Sequence, residues 1–248
     1  MSRIIFIHSF RGGTGKTNIT ANLATLLAAE GRRVGVVDTN FESPGLHFLF
    51  GMEDPEPSLN DYLLGKCDIE KAVYDMTGTR NQKGKLFLIP SSTQLNEMAK
   101  VWNEGIDVDA VTDVLQELPQ LLDLEFLLID TNPGLCKETL FTFAISNGLL
   151  FISCPDAQDY QGTAVAVHVT RKLEIPNIML LVNKVPPALQ LAEVKQRVEQ
   201  ISNYKVCAVL PHSDDMLNLA SSGIFVLRYP DHPITEQLTK VAHQLMLG

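Results

Sequence analysis

The sequence predicts a doubly wound α/β fold, a mainly parallel sheet with helices on both faces, and three observations predict it. Short apolar runs at Ile4–Ile7, Val34–Val37, Leu86–Ile89, Phe126–Ile129, Leu149–Ser153, Ile178–Val182 and Val206–Leu210 are separated by segments with helical spacing. The runs are nearly continuous in apolar residues rather than alternating, as strands covered on both faces are. Polar clusters follow directly on several runs, at the strand ends where such sheets place their ligands.

With 248 residues, 45% hydrophobic and 20% charged, the chain fits one domain over 1–248. A domain of that size buries roughly 70–75% of its unfolded surface. No repeat, low-complexity tract or linker divides it, and the stretch from Gly78 to Lys85 is expected as an exposed turn. Twenty Lys+Arg against 29 Asp+Glu leave a net charge of -9, which argues against a surface coated for nucleic acid while leaving room for a local basic patch. Cys67, Cys136, Cys154 and Cys207 form no CxxC pair and are expected as reduced thiols of a cytoplasmic protein. The first strand starts within a few residues of Met1 and no apolar run spans a bilayer, so neither a signal peptide nor a membrane span is expected.

The first strand leads into HSFRGGTGKTN, residues 8 to 18, and then into an Ala- and Leu-rich helix over Ile19–Ala29. A strand, a glycine-rich turn and a helix start together make an anion site, because glycines let backbone N–H groups close around phosphate oxygens and the helix N-terminus adds positive potential. Gly12, Gly13, Thr14, Gly15, Lys16, Thr17 and Asn18 are the expected phosphate cradle, with Lys16 reaching the β- and γ-phosphates and the Thr17 hydroxyl on Mg²⁺. Phe10 stands where the usual pattern demands its first glycine.

The second strand ends in Asp38-Thr39-Asn40. A carboxylate there can position Mg²⁺-bound water or the attacking water; the alternative is that Asp38 caps the following turn. Phe126–Ile129 ends in Asp130, followed by Thr131-Asn132-Pro133-Gly134, which suits a carboxylate holding Mg²⁺ and a glycine turn sensing a γ-phosphate. Leu181-Val182-Asn183-Lys184-Val185-Pro186 has proline where a guanine-reading motif needs aspartate, so guanine specificity is not expected. Asn183 is either a base contact or a plain turn residue.

These stretches together resemble the MinD/ParA family of deviant Walker A P-loop ATPases, over most of the chain from Ile4 to about Leu245. Arg11 stands where that family has its signature lysine, and Asn40 replaces the second of its two switch aspartates. The resemblance implies ATP and Mg²⁺ as ligands, with Thr17, Asp38 and Asp130 around the metal, and Lys16, Asp38 and Arg11 as the catalytic set. It further implies Asn183 and Pro211 beside an adenine base. Two ATP-bound copies would close face to face, with Arg11 reaching phosphates held by the other copy; the competing reading is that Arg11 pairs with a carboxylate of its own chain. An amide at position 40 cannot accept a proton as a carboxylate does, and general-base contributions run to about 10²–10⁴ in rate, so slow hydrolysis is expected.

The implied function is an ATP-dependent dimer that positions or partitions an intracellular cargo, its hydrolysis stimulated by a partner protein. A nucleotide-sensing regulator with little hydrolysis is the alternative. A cluster-bridging ATPase would need two suitably placed cysteines per chain, and none lies between Cys67 and Cys136. Arg171, Lys172, Lys195, Arg197, Lys205 and Arg228 are candidate contacts for nucleoid DNA. The last helix carries Ile234, Leu238, Val241 and Leu245 on one stripe but a single lysine and no aromatic anchor, so it is expected to pack on the sheet rather than on a membrane.

Overall fold

All seven expected strands lie side by side in one eight-stranded sheet, in a computed structural model that describes residues 2–78, 83–105 and 107–247. They are β1 (Arg3–His8), β2 (Arg33–Asp38), β4 (Lys85–Ile89), β5 (Phe126–Asp130), β6 (Gly148–Ser153), β7 (Ile178–Val185) and β8 (Val206–Pro211). The unexpected strand is β3 (Tyr74–Asp75), too short to show a period and antiparallel to β4, while every other pairing is parallel. Spatial order is β3-β4-β2-β5-β1-β6-β7-β8, so β1 sits between β5 and β6 and its carboxyl end opens at the centre of the sheet. The exposed turn expected from Gly78 to Lys85 falls largely on 79–82, which lie outside the described residues.

Alternation along β1 shows how two cores form. Ile5 and Ile7 point into one, Ile4 and Phe6 into the other. The first core is covered by α1 (Lys16–Ala29), the short α2 (Leu46–Leu49), α10 (Phe225–Arg228) and α11 (Pro233–Leu247). The second is covered by α3 (Leu59–Leu63), α5 (Val108–Leu121), α6 (Lys137–Phe143), α7 (Ala157–Lys172) and α8 (Leu191–Ser202). Helices α4 (Leu95–Glu104) and α9 (Asp214–Leu219) complete the set. Helix α1 is buried nearly all round, with Ile19, Leu23 and Leu27 against the sheet, which is why it lacks a polar face.

In α11 the stripe Ile234, Leu238, Val241 and Leu245 is buried in the first core, as expected of a helix lying on the sheet. Among the described residues no helix is long and apolar enough to cross a membrane. Of the candidate DNA contacts, Arg171 and Lys172 end α7, and Lys195 and Arg197 lie on α8 in the same layer. Arg228 lies on α10 in the opposite layer, so the six do not all share one face. The four cysteines are free thiols, with Cys136 exposed.

Candidate functional site

Backbone geometry makes the loop after β1. Gly13 and Gly15 take φ values of +78° and +90°, a region that β-carbons disfavour. At Gly15 a Cβ would also lie 2.6 Å from Asn183 Nδ2. From the β7 side, Asn183 Nδ2 donates to the Thr14 carbonyl at 2.9 Å and Lys184 Nζ to the Gly13 carbonyl at 2.6 Å. Helix α1 then starts at Lys16 with no side chain capping its first turn, leaving its N-terminal N–H groups and positive dipole end for an anion. Phe10, in the place of the missing glycine, lies against Gly162 of α7, where a Cβ would come within 2.0 Å of the ring. Bulk gained in the loop is thus matched by bulk lost in the helix.

Lys16 points under this loop. Its Nζ donates to Asp130 Oδ1 at 2.9 Å, and both side chains are buried, at 6% and 0% exposure. Thr20 Oγ1 lies 3.2 Å from the same oxygen, while Asp130 Oδ2 is shielded and without a partner. A buried ion pair of this kind stabilises little by itself, since desolvation offsets the attraction, but it keeps a cation and a carboxylate ready for other ligands.

Asp38 faces Asp130 in register on the neighbouring strand. Its Oδ1 accepts the Asn40 N–H at 3.0 Å, and its Oδ2 accepts those of Gly45 and Leu46 at 2.9 and 3.1 Å. Asp38 therefore organises the loop 39–45, and both of its oxygens are already engaged. Burial pushes its carboxyl up to about 7, and the charge of Asp130 adds to the rise against the opposing pull of the three N–H groups. Asn40 Nδ2 donates to the Ser43 carbonyl at 2.8 Å, a bond an aspartate could not make, while its Oδ1 is buried without a partner.

His8 closes the floor. Thr131 Oγ1 donates to the Ile7 carbonyl at 3.0 Å, so the 2.7 Å contact with His8 Nδ1 is one in which the imidazole N–H donates. Burial first, and Lys16 second, hold His8 down to about 3, so the ring is neutral beneath the lysine. Thr39 Oγ1 donates to the Asp130 carbonyl at 3.0 Å and Ser91 Oγ to the Asp38 carbonyl at 2.6 Å, fixing both acid-bearing strand ends.

The structure brings Gly12 to Thr17, Asp38, Asp130 and Asn183 to one strand-end cluster. The Thr17 methyl would lie 3.7 Å from a Cβ on Gly45, beside the loop that Asp38 organises. Asn18 turns instead to Asn22, whose Nδ2 donates to its carbonyl at 2.7 Å and whose Oδ1 accepts the Val226 N–H at 2.8 Å. Pro211 pairs with Val185 at the β7–β8 edge. Arg11 lies outward, its Nη1 donating at 2.9 Å to Asp156 Oδ1, the oxygen that also caps α7. Lys184, His8 and Gly162 carry the site without having been singled out in the sequence. Lys184 stands next to Asn183 as an exposed residue near the end of β7, and Gly162 shows no local pattern at all.

The arrangement fits a polyanion with a divalent cation. Buried oxygens of Thr14, Asn40, Asp130 and Asn132 lack partners at the ends of β1, β2 and β5, where a satisfied interior would leave few. Among the described residues no group of three or more His, Cys, Asp or Glu could hold a metal. Mg²⁺ needs no such cage, since it is commonly held by one or two carboxylates, waters and substrate phosphates.

Comparison with known proteins agrees. A family model described as the CobQ/CobB/MinD/ParA nucleotide binding domain matches residues 5–226. An uncharacterised ATP-binding protein of Methanocaldococcus jannaschii is 31% identical over 99% of this chain and 88% of its own length. The septum site-determining protein MinD of a Synechocystis strain is 25% identical over 90% of this chain and 81% of its own length. Among solved structures, the cell division ATPase MinD of Pyrococcus furiosus shares the fold with a TM-score of 0.82, at 24% identity and 99% coverage of both chains.

Proposed function

We propose, from the premise that this chain belongs to the CobQ/CobB/MinD/ParA nucleotide-binding family, that it is a MinD/ParA-type ATPase, an ATP-driven dimer switch that positions an intracellular cargo with the help of a stimulating partner protein. The observation that carries the reading is the buried Lys16–Asp130 pair beneath an uncapped helix start. Gly12 to Thr17 would hold the phosphates, Thr17 and Asp130 Oδ2 would take Mg²⁺, and Asp38 Oδ1, which accepts a single N–H, keeps a lone pair for it. Bound Mg²⁺ supplies charge neutralisation at the transferring phosphate. What the chain's own residues do is orient and exclude water: Lys16 is drawn toward phosphate oxygens, and the 39–45 and 131–134 loops close around them.

Arg11 would turn from Asp156 to phosphates held by a second copy. Its fork suits bidentate contact with phosphate oxygens, and the exposed pair with Asp156, at 46% and 50% exposure, is weak enough to exchange. Mass in solution with and without Mg-ATP tests the switch. The expected result is a dimer with Mg-ATP that Arg11→Ala weakens at least tenfold; an unaltered dimer fraction rejects the trans contact. Nucleoid DNA as the track belongs to this reading, with the α7–α8 basic residues as its surface, and co-sedimentation that needs ATP would support it.

A second reading, a nucleotide-sensing regulator with little hydrolysis, is favoured by one observation. Asn40 holds Ser43 with its amide and offers water no proton-accepting carboxylate. Single-turnover rates that stay at background with every candidate partner would favour it.

A further inference from the structure

On the α5–α6 side of the sheet, behind the loops that follow Asp38 and Asp130, lies a cavity of about 300 Å³. Phe6 of β1, Phe41 of the 39–45 loop, and Val108, Val111 and Leu115 of α5 give it an apolar lining. Its polar side comes from Asn132 of the second loop and from the start of α6, including Cys136 and Thr139. Most of these polar groups are already bonded: Thr39 Oγ1 to the Asp130 carbonyl, Thr131 Oγ1 to the Ile7 carbonyl and Thr142 Oγ1 to the Thr139 carbonyl. Asn132 Oδ1 has no partner, but it is shielded from solvent and so from a guest in the chamber. Glu42, at the exposed rim, is the one charged residue among the described lining.

We propose that this cavity binds a small uncharged aromatic molecule, and that its occupancy holds both loops as they stand, opposing ATP. The chemistry follows from the walls. An apolar body gains from leaving water against Phe6, Phe41 and α5. The wall hydroxyls of Thr39, Thr131 and Thr142 are already engaged with backbone carbonyls, so a guest rich in polar groups would bury them at a cost. Anions are disfavoured by Glu42, the one charge among the described lining. The volume is at the lower end of small-molecule sites, which limits the guest to about one fused ring system.

The link to the nucleotide site is covalent and short. Phe41 lies three residues beyond Asp38, and Asn132 two beyond Asp130, so a guest touching both stiffens the loops that carry the acids. A ligand that prefers this arrangement must weaken any ligand that requires another, by the same factor in each direction. This second half rests on the proposed ATP switch; the binding half does not.

Indole is the probe. Titrated calorimetrically into the nucleotide-free full chain, it is expected to bind with a dissociation constant on the order of 10⁻⁴–10⁻³ M, as its few heavy atoms allow. It should also slow alkylation of the exposed Cys136, followed by peptide mass spectrometry. Val111→Phe fills the buried wall and should abolish both effects. Val108→Phe does so from a half-buried position, so a failure of the first variant to fold leaves the test intact. No heat at low-millimolar indole, or equal binding by Val108→Phe, overturns the site. With Mg-ATP present, indole is expected to weaken ATP binding by roughly fivefold or more. Indole that binds without this shift overturns the coupling. A chain that takes up indole but never ATP would instead sink the proposed function and leave the cavity assignment standing.

Discussion

Asp38 and Asp130 end adjacent parallel strands, lie opposite each other in register and are both fully buried, yet the structure treats them differently. Asp38 is surrounded by three backbone N–H groups and shapes the loop that follows it. Asp130 keeps one oxygen for Lys16 and leaves the other without a partner. Equal burial of equal residues therefore yields one organiser and one acid poised for a ligand. What separates them is the next stretch of chain. After Asp38 it folds back so that residues 40, 45 and 46 present N–H groups; after Asp130 it runs away from the carboxylate, tied down instead through Thr131 and His8.

The sharpest way to break this contrast is at the ion pair. Lys16→Met leaves Asp130 buried without its cation, and loss of one partner of a buried pair costs about 3–5 kcal/mol. Urea denaturation of the nucleotide-free protein should show that loss, and calorimetry should show no uptake of Mg-ATP. The double variant Lys16→Met, Asp130→Asn should recover most of the stability but none of the binding. A single variant as stable as the parent would mean that Lys16 and Asp130 do not form a pair in solution.

The organiser responds to pH instead. Asp38→Ala strips the acceptor from three N–H groups, an expected loss of about 1–3 kcal/mol at pH 5. In the parent protein the folded-state carboxyl is raised to about 7, above the value of about 3.9 for an unfolded chain. The folded state thus binds the proton more tightly; this contribution is full below the unfolded value and is lost as the pH rises through about 7. The parent should weaken from pH 5 to 8 while Asp38→Ala does not, so the gap between them narrows. A constant gap would show that burial does not raise Asp38.

The same contrast marks what the sequence could and could not tell. The strand segments, the anion loop and both acids are legible because apolar runs, glycines and strand-end carboxylates are local signals; the order of the strands in the sheet is not. The tether from Lys184 to Gly13, the Phe10–Gly162 fit and the Asp156 seat of Arg11 depend on α7 and β7 crossing the loop from far along the chain. No spacing rule brings residues 11 and 156 together. The sequence offers Asn183 as a base contact or a turn residue, and the structure adds a bond from its amide to the Thr14 carbonyl, which depends on the close approach at Gly15. The strand β3 went unseen because two residues carry no period.

Position 40 gives the finest test of the two acids. In Asn40→Asp the donor to the Ser43 carbonyl is lost and a buried acidic oxygen faces it, which costs about 1–3 kcal/mol or more at neutral pH. The same substitution places a proton acceptor on the loop that Asp38 organises, where an amide offers none. If the amide limits turnover, single-turnover hydrolysis of Mg-ATP should rise by about 10²-fold, the lower end of general-base contributions. A gain in rate despite the loss of stability would mean that the Asp38 loop carries the water-activating position while Asp130 serves the metal. An unchanged rate would place the acceptor elsewhere and favour the sensing role, because the loop would then be built to hold its shape rather than to take a proton.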